Sequence, residues 1–460
     1  MIRLCVASQT PPLRPLPASS RRGLGSVWKM GRDYEPQVGG VVPMMRALIR
    51  VGTGSWIAPR TRWVAMGGQG FPPLIHTDEG YLVDTIPLPS ERKELYSRFK
   101  ESVWRSFHGP GFPEFVPEEY RAFVQYNWAT ADRLLQHLGS HDLFYINDFQ
   151  LVLCGAMIGS AAPALMRWHI PLEFRGYPEP VRRFFLRLME DYDGIVVSTR
   201  AALEELFRYG FHGRAFQVYP YVDPREHLAP SAATVARFRE RFGLGGSRIV
   251  LSVSRLDPVK RQDLLVRAFA PVARAFPDAR LVLAGGGSFS TQNLAAAAGP
   301  SKDSEWLSEL RQLVRKEGLE RSVVFTGLLS AEELAAAYAA SEVFVHPAPW
   351  EGFGLVVIEA WLHRKPVIVS RGAGVAELVD DGANGISVPP GSVPHLTAAM
   401  RKMLADPSEA ERMGGFGAMT AQRCDVRRAS SRLKEIFERT IDHYQRSGLY
   451  PLPTGRDVSG

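Results

Sequence analysis

Cysteine is nearly absent from these 460 residues. Cys5, Cys154 and Cys424 stand far apart with no metal-ligand or redox spacing, which argues against a disulfide framework or a cysteine-based zinc site and fits a reducing compartment. No apolar run approaches the roughly 20 residues that span a bilayer. The opening MIRLCVASQTPPLRPLPASSRR has one short apolar run followed by proline and arginine, without the apolar core and cleavage pattern of a signal peptide, so a cytoplasmic protein is expected. Zinc-finger spacing, RNP-type motifs and long basic runs are missing too. The net charge of +7 reads first as an ordinary solvated surface with scattered arginines, attraction of small anionic substrates being the alternative, and nucleic acid is not an expected partner.

What is present is the composition of a globular protein, 45% apolar and 22% charged, in a chain too long for one ordinary core. Short β-branched runs alternate with segments of helical periodicity in both halves, the pattern of parallel sheets flanked by helices. In the second half RIVLSVSRL, ARLVLAGGG, SVVFTGLL, SEVFVHPA and KPVIVSRGA read as strands, with helices over 261–275, 304–317, 331–341 and 355–363. In the first, DLFYINDFQ, ALMRWHIPL, DGIVVSTRA and AFQVYPYVD read as strands, with helices near 119–138 and 178–191. The expected fold is α/β: two Rossmann-like domains over 1–225 and 247–425, with a linker region over 226–246. A C-terminal helix and tail, 426–460, is expected to pack back on the first domain.

The segment HPAPWEGFGLVVIEAW is the richest in chemistry. An apolar strand ends in a proline-rich loop, and Glu351-Gly352-Phe353-Gly354 then opens a helix that carries Glu359. Such a helix start presents unpaired amides, a seat for a diphosphate. Glu351 before the helix and Glu359 about two turns in can reach different parts of one extended ligand. Upstream, SVSRLDPVKRQDLL sets Arg255 at a strand end and Lys260 before the next helix, two cations able to converge on a diphosphate leaving group.

This Glu-x7-Glu arrangement resembles the C-terminal domain of the GT-B glycosyltransferases, over roughly residues 247–405. The resemblance implies that Glu351 contacts the donor sugar, that amides around Phe353, Gly354 and Leu355 serve sugar and phosphate, and that Glu359 contacts ribose. It also implies that Arg255 and Lys260 neutralise the departing nucleotide and that Phe325 lies near the base. The co-substrate would be a UDP-, ADP- or GDP-linked glucose, with no metal and no bound cofactor.

In the first half GGVVPMMRALIRVGTGSW, ELYSRFKESVWRSFHG, VQYNWATADRLLQHLGSHDLFYINDFQL and LMRWHIPLEFRGYPEPVRRF resemble the trehalose-phosphate synthases, over much of 37–210. That likeness places Gly39 and Gly40 near the donor phosphates, Trp56, Tyr96 and Trp104 around the acceptor sugar, Asp148 on the acceptor side and His169 on the donor sugar. The implied reaction is retaining transfer of glucose to glucose 6-phosphate, giving α,α-trehalose 6-phosphate. Catalysis would rest on His169, Asp148, Arg255, Lys260 and Glu351, the domains facing each other across a cleft. The chain departs from the family pattern where Gln9 replaces the acceptor-phosphate arginine after the first strand, and no second such arginine is evident around 285–300. Free glucose or another small sugar or polyol therefore stays open as acceptor. So does a catalytically silent sugar-nucleotide sensor. The sequence leaves the oligomeric state undetermined.

Overall fold

The computed structural model describes residues 1–16, 26–37, 39–68, 71–286 and 302–446. The chain divides into two compact units, Met1–Tyr221 together with the chain from Val426, and Val222–Asp425.

In the first unit the apolar runs form a nine-stranded sheet in the order β11-β10-β9-β8-β1-β5-β7-β6-β3. Its strands are β1 (Leu4–Ser8), β3 (Val27–Trp28), β5 (Arg62–Met66), β6 (Leu74–Thr77), β7 (Leu82–Ile86), β8 (Leu143–Asn147), β9 (Ala164–Arg167), β10 (Gly194–Val197) and β11 (Ala215–Gln217), while β2 (Leu13–Pro15) and β4 (Tyr34–Pro36) make a small antiparallel pair. Only β6 runs antiparallel to its neighbour β7. Every residue of β1 and β8 is buried, as expected of central parallel strands covered on both faces. The order of the chain reverses at these two strands: β5 and β7 follow on one side of β1, and β8 to β11 on the other. Ligands of open α/β sheets bind outside the strand C-termini at such a switch point.

The second unit is a six-stranded, all-parallel sheet, β14-β13-β12-β15-β16-β17. Its strands are β12 (Arg248–Val253), β13 (Ala279–Ala284), β14 (Val323–Gly327), β15 (Val343–His346), β16 (Val367–Ser370) and β17 (Gly385–Val388). The switch point lies between β12 and β15, where the chain moves from one side of the sheet to the other. The alternating pattern is thus realised as an α/β fold with one parallel-type sheet per half. Among the described residues no helix is long and apolar enough to cross a membrane.

Two expectations need correction. Residues 226–246, read as a linker, hold the helix Ala232–Arg241, capped by Ser231 on the Thr234 amide. That helix belongs to the second unit: Phe238 is buried, and Arg239 donates to the carbonyls of Gly245, Ser247 and Ala340. Its charged sequence TVARFRER hid an apolar side too narrow to stand out. Trp56, expected at an acceptor sugar, is core. It is 7% exposed, its indole N–H donates to Ser430 Oγ at 2.9 Å, and its ring meets Phe437 edge-on at 5.7 Å.

Ser430 and Phe437 lie on the helix Val426–Arg446, whose buried residues Val426, Ala429, Ser430, Leu433, Ile436, Phe437, Thr440 and Tyr444 recur at helical spacing. Trp56 is therefore an anchor for this helix within the first unit, since ring burial and a satisfied buried donor both depend on it. Trp56→Phe removes the bond and leaves the Ser430 hydroxyl unpaired, so urea unfolding should show a loss of about 1–2 kcal/mol. The acceptor KM should stay within about twofold, the mutated ring lying away from any ligand. A raised KM at unchanged stability would restore Trp56 to the acceptor site.

Candidate active site

At the switch point of the second unit two strand ends supply charge. β12 runs through Ser254 to Arg255, and a single 3-10 turn, Pro258–Lys260, delivers Lys260. Asp257 caps that turn by accepting from the Val259 amide at 3.1 Å, and Arg261 takes a left-handed conformation, φ 54°, to start the helix Gln262–Ala275. Gln262, fully buried, fastens the loop by donating to Ser254 Oγ at 2.9 Å and to the Arg255 carbonyl at 2.7 Å. Its own oxygen accepts from the Trp306 indole at 2.9 Å. The loops press close enough that a Cβ on Gly285 would stand 1.9 Å from the Ser254 carbonyl oxygen, so only glycine fits there.

From the other side of the switch point, β15 ends in His346 and Glu351 follows in the loop. The Lys260 ammonium is ion-paired with Glu351 Oε2. The His346 Nε2 lies 3.6 Å from the same oxygen. Burial works against charge on Glu351, but Lys260 and His346 outweigh it and hold the carboxyl well below the usual range. The loop itself is pinned: the Glu351 carbonyl accepts from the Gly374 amide at 3.0 Å and the Phe353 carbonyl from the Val375 amide at 2.9 Å. A Cβ on Gly372 would stand 1.7 Å from the Pro349 carbonyl oxygen. Gly354, at φ 104°, is the N-cap of the helix Leu355–Leu362, so that helix start is held beside Glu351. Glu359, on the same helix, accepts from the Tyr338 hydroxyl at 2.9 Å. Arg255 is 40% exposed, 3.8 Å from Asp257.

In the first unit the equivalent switch point carries Asn147, Asp148 and His169. Asp148 sits at φ 74°, ψ 165°, a region almost reserved for glycine, where other residues store strain of order 1–3 kcal/mol and cluster at functional sites. Its Oδ1 accepts from the His169 amide at 3.1 Å and its own amide donates to the Arg167 carbonyl at 2.8 Å. Burial pushes the carboxyl up to about 6, against the hydrogen bonds it accepts from the His169 and Phe149 amides. The Asn147 amide donates to the Ala7 and Tyr145 carbonyls, turning its oxygen toward His169 Nε2 at 3.0 Å. Nε2 therefore carries the proton in this arrangement. Burial and then the Arg167 cation push the imidazole well below its ordinary pKa, leaving it neutral with Nδ1 as acceptor.

Comparison with known proteins fits this layout. The family profile "Glycosyl transferases group 1" matches residues 235–418. The chain is 31% identical over 302 residues to the GDP-mannose-dependent α-(1-6)-phosphatidylinositol monomannoside mannosyltransferase of Mycolicibacterium smegmatis, covering 63% of this chain and 74% of that one. The chain belongs to the group 1 glycosyltransferases. The mannosylfructose-phosphate synthase of Agrobacterium fabrum is 27% identical over 371 residues, 75% of this chain and 79% of that one. Among solved structures, the α,α-trehalose 6-phosphate synthase of Burkholderia multivorans superposes with a TM-score of 0.76 over 98% of this chain and 99% of that one at 18% identity, a likeness of fold, that of the GT-B glycosyltransferases.

Within this glycosyltransferase the second unit brings Lys260 and Glu351 into contact, with Arg255, Phe353, Gly354 and Leu355 on the loops and helix start beside them and Glu359 further along the helix. Phe325, on β14, is partly buried against the core of that unit, two strands from β12. In the first unit Gly39, at φ 121°, and Gly40 precede the helix Val41–Gly52. Tyr96 corrects another expectation: it is fully buried, stacked on Phe123 at 5.9 Å and edge-on to Tyr126 at 4.9 Å, so no sugar reaches its ring. Trp104 is partly exposed and stacks on His108 at 4.1 Å. Gln9 follows β1; of the stretch 285–300, residues 287–300 lie outside the described residues. Sequence reasoning missed His346, Gln262, Tyr338 and Asn147. Only the His-Pro pair five residues before Glu351 gave a signal.

The raised Asp148 carboxyl makes a stability prediction. A folded pKa near 6 against about 4 unfolded means its protonated form is favoured by folding: that contribution is intact below about pH 4 and is lost as pH rises through about 6. Asn matches Asp in shape, so the backbone strain is unchanged, and it keeps one acceptor oxygen. Asp148→Asn should therefore be more stable than wild type at pH 7.5, by on the order of 1–3 kcal/mol, and equal to it at pH 4. Chemical denaturation at the two pH values checks this, and an equal effect at both would show that burial of charge is not what sets the carboxyl.

Proposed function

We propose that the chain is a retaining hexosyltransferase that takes its sugar from a nucleotide-linked donor. The observation that carries this reading is the Lys260–Glu351 pair at the switch point of the second unit, beside a glycine-capped helix start. Ion-paired Glu351 suits the hydroxyls of a donor sugar, while Lys260, Arg255 and the amides at Gly354 and Leu355 suit the charge that appears on the diphosphate as it leaves. In the reaction the bond from the anomeric carbon to the diphosphate breaks and a bond to the acceptor oxygen forms on the same face. The acceptor proton passes to a diphosphate oxygen. Asp148 and His169 are the first unit's candidates for holding the reactants, supported by the strained backbone at Asp148 and the fixed tautomer of His169.

Glucose 6-phosphate, giving α,α-trehalose 6-phosphate, is the first acceptor to consider, supported by the ordered likeness of the first half to the trehalose-phosphate synthases. Burial of Trp56 and Tyr96 and the presence of Gln9 favour a second reading, in which the acceptor is free glucose or another small sugar or polyol. The name of the mycolicibacterial relative adds GDP-mannose to the possible donors.

A matrix of UDP-, ADP- and GDP-glucose and GDP-mannose against glucose, glucose 6-phosphate, fructose 6-phosphate and inositol phosphate, read by mass spectrometry, tests the reading. The expected result is one product of retained anomeric configuration by NMR. Nucleotide-sugar binding without transfer across the panel would instead mark a sensor. Glu351→Gln and Lys260→Ala should each lower turnover by about 100-fold or more with the circular dichroism unchanged, as loss of a group serving the transition state does. Wild-type rates in both variants would show that the donor site lies elsewhere.

A further inference from the structure

His346 is a buried polar side chain of the donor site that the reaction above does not use. It is 2% exposed, yet neither Nδ1 nor Nε2 has a hydrogen-bond partner, an arrangement native proteins rarely leave unexplained. Nε2 lies 3.6 Å from Glu351 Oε2, just outside hydrogen-bond reach. That oxygen is held instead by the Lys260 ammonium. A Cβ on Gly354 would stand 3.4 Å from Nε2, so the helix start lies beside the imidazole.

The donor reading sets Lys260 two tasks that conflict. It pairs with Glu351 as the structure stands, and it has to reach the diphosphate when the donor binds. Withdrawing one partner of a buried pair leaves an uncompensated charge, which is strongly unfavourable. A second donor waiting beside the carboxylate removes that obstacle, and His346 is placed to be it.

We propose that His346 is a positioning residue that exchanges with Lys260 for the Glu351 carboxylate. As Lys260 moves to the diphosphate, the His346 Nε2–H closes the gap to Glu351 Oε2 and keeps the carboxylate ionised and aimed at the sugar. No covalent bond changes: the exchange trades one charge-assisted hydrogen bond for another. The proposal rests on the donor reading given under Proposed function.

The test is calorimetric titration of the full chain with UDP, GDP and ADP, in wild type, His346→Leu, His346→Gln, Glu351→Gln and the double variant His346→Leu/Glu351→Gln. In His346→Leu, Lys260 stays committed to Glu351, and nucleotide affinity should fall about tenfold. His346→Gln keeps an N–H donor and should recover most of that loss, and it also serves if the leucine variant folds poorly. Glu351→Gln no longer needs a cation, so the double variant should bind within about twofold of Glu351→Gln alone. Equal losses from His346→Leu in both backgrounds would reduce His346 to packing and overturn the exchange while leaving the donor site standing. Wild type binding none of the three nucleotides would sink the donor reading and the exchange together.

Discussion

A carboxylate shut away from water stays ionised only if cations come to it, and much of the second unit's geometry near β12 and β15 serves that requirement for Glu351. Lys260 reaches it because Asp257 caps the 3-10 turn and Arg261 accepts a left-handed backbone to begin the next helix. The turn holds its place because Gln262 ties Ser254 and Arg255 to Trp306. Glu351 is presented by a loop whose carbonyls at 351 and 353 are consumed by Gly374 and Val375, so the segment has little freedom to retreat. Gly285 and Gly372 permit backbone approaches that no Cβ would survive. Packing is thereby spent on aiming a few charges, which is how preorganised sites gain their effect.

The two switch points treat their carboxylates oppositely. Glu351 is driven down by the adjacent Lys260 cation and by His346, whereas Asp148 is driven up by burial that amide hydrogen bonds only partly offset. Two carboxylates with environments that separate their protonation states suit different work. The lowered carboxyl of Glu351 is in keeping with the grip on hydroxyls given it under Proposed function. An Asp148 that titrates near 6 fits a group that meets a hydroxyl as acceptor or as donor according to pH. The strain at Asp148 has a structural reading as well: with its amide committed to Arg167 and its Oδ1 to the His169 amide, the residue is fixed from both ends and has no relaxed alternative.

How much of this was legible in the sequence depends on how local each signal is. The α/β alternation was plain because apolar runs such as VFVH and LFYIN are buried end to end. Glu351, Glu359, Arg255 and Lys260 were legible as a motif in which strand, cation and helix start follow one another. By contrast β5, β6 and β7 escaped, since LVDTI carries a carboxylate in mid-strand. Asp84 is tolerated there only because Arg62 at 3.0 Å and His137 at 2.6 Å arrive from elsewhere in the chain. The helix at 232–241 escaped because arginines cover most of its faces. His346 looked like one more residue closing an apolar strand, and the approach of its Nε2 to Glu351 is a fact of three dimensions.

The aromatics mark where resemblance and physics part. An ordered series of matching segments preserves chain topology, which is why the fold likeness extends over nearly the whole length at 18% identity. It does not preserve which side of a helix or loop a ring faces. Trp56 is drawn inward by a helix more than 370 positions away in sequence, and Tyr96 by the stack of Phe123 and Tyr126. Neither partner is visible from the local sequence, and an indole or phenol that suits a sugar face suits a core equally well. Buried charges demand partners, and at Glu351 the partner Lys260 lies in a strand-loop-helix segment that the sequence marks. The Lys260–Glu351 ion pair could thus be anticipated from a motif, whereas the strained backbone at Asp148 shows itself only once the chain is folded.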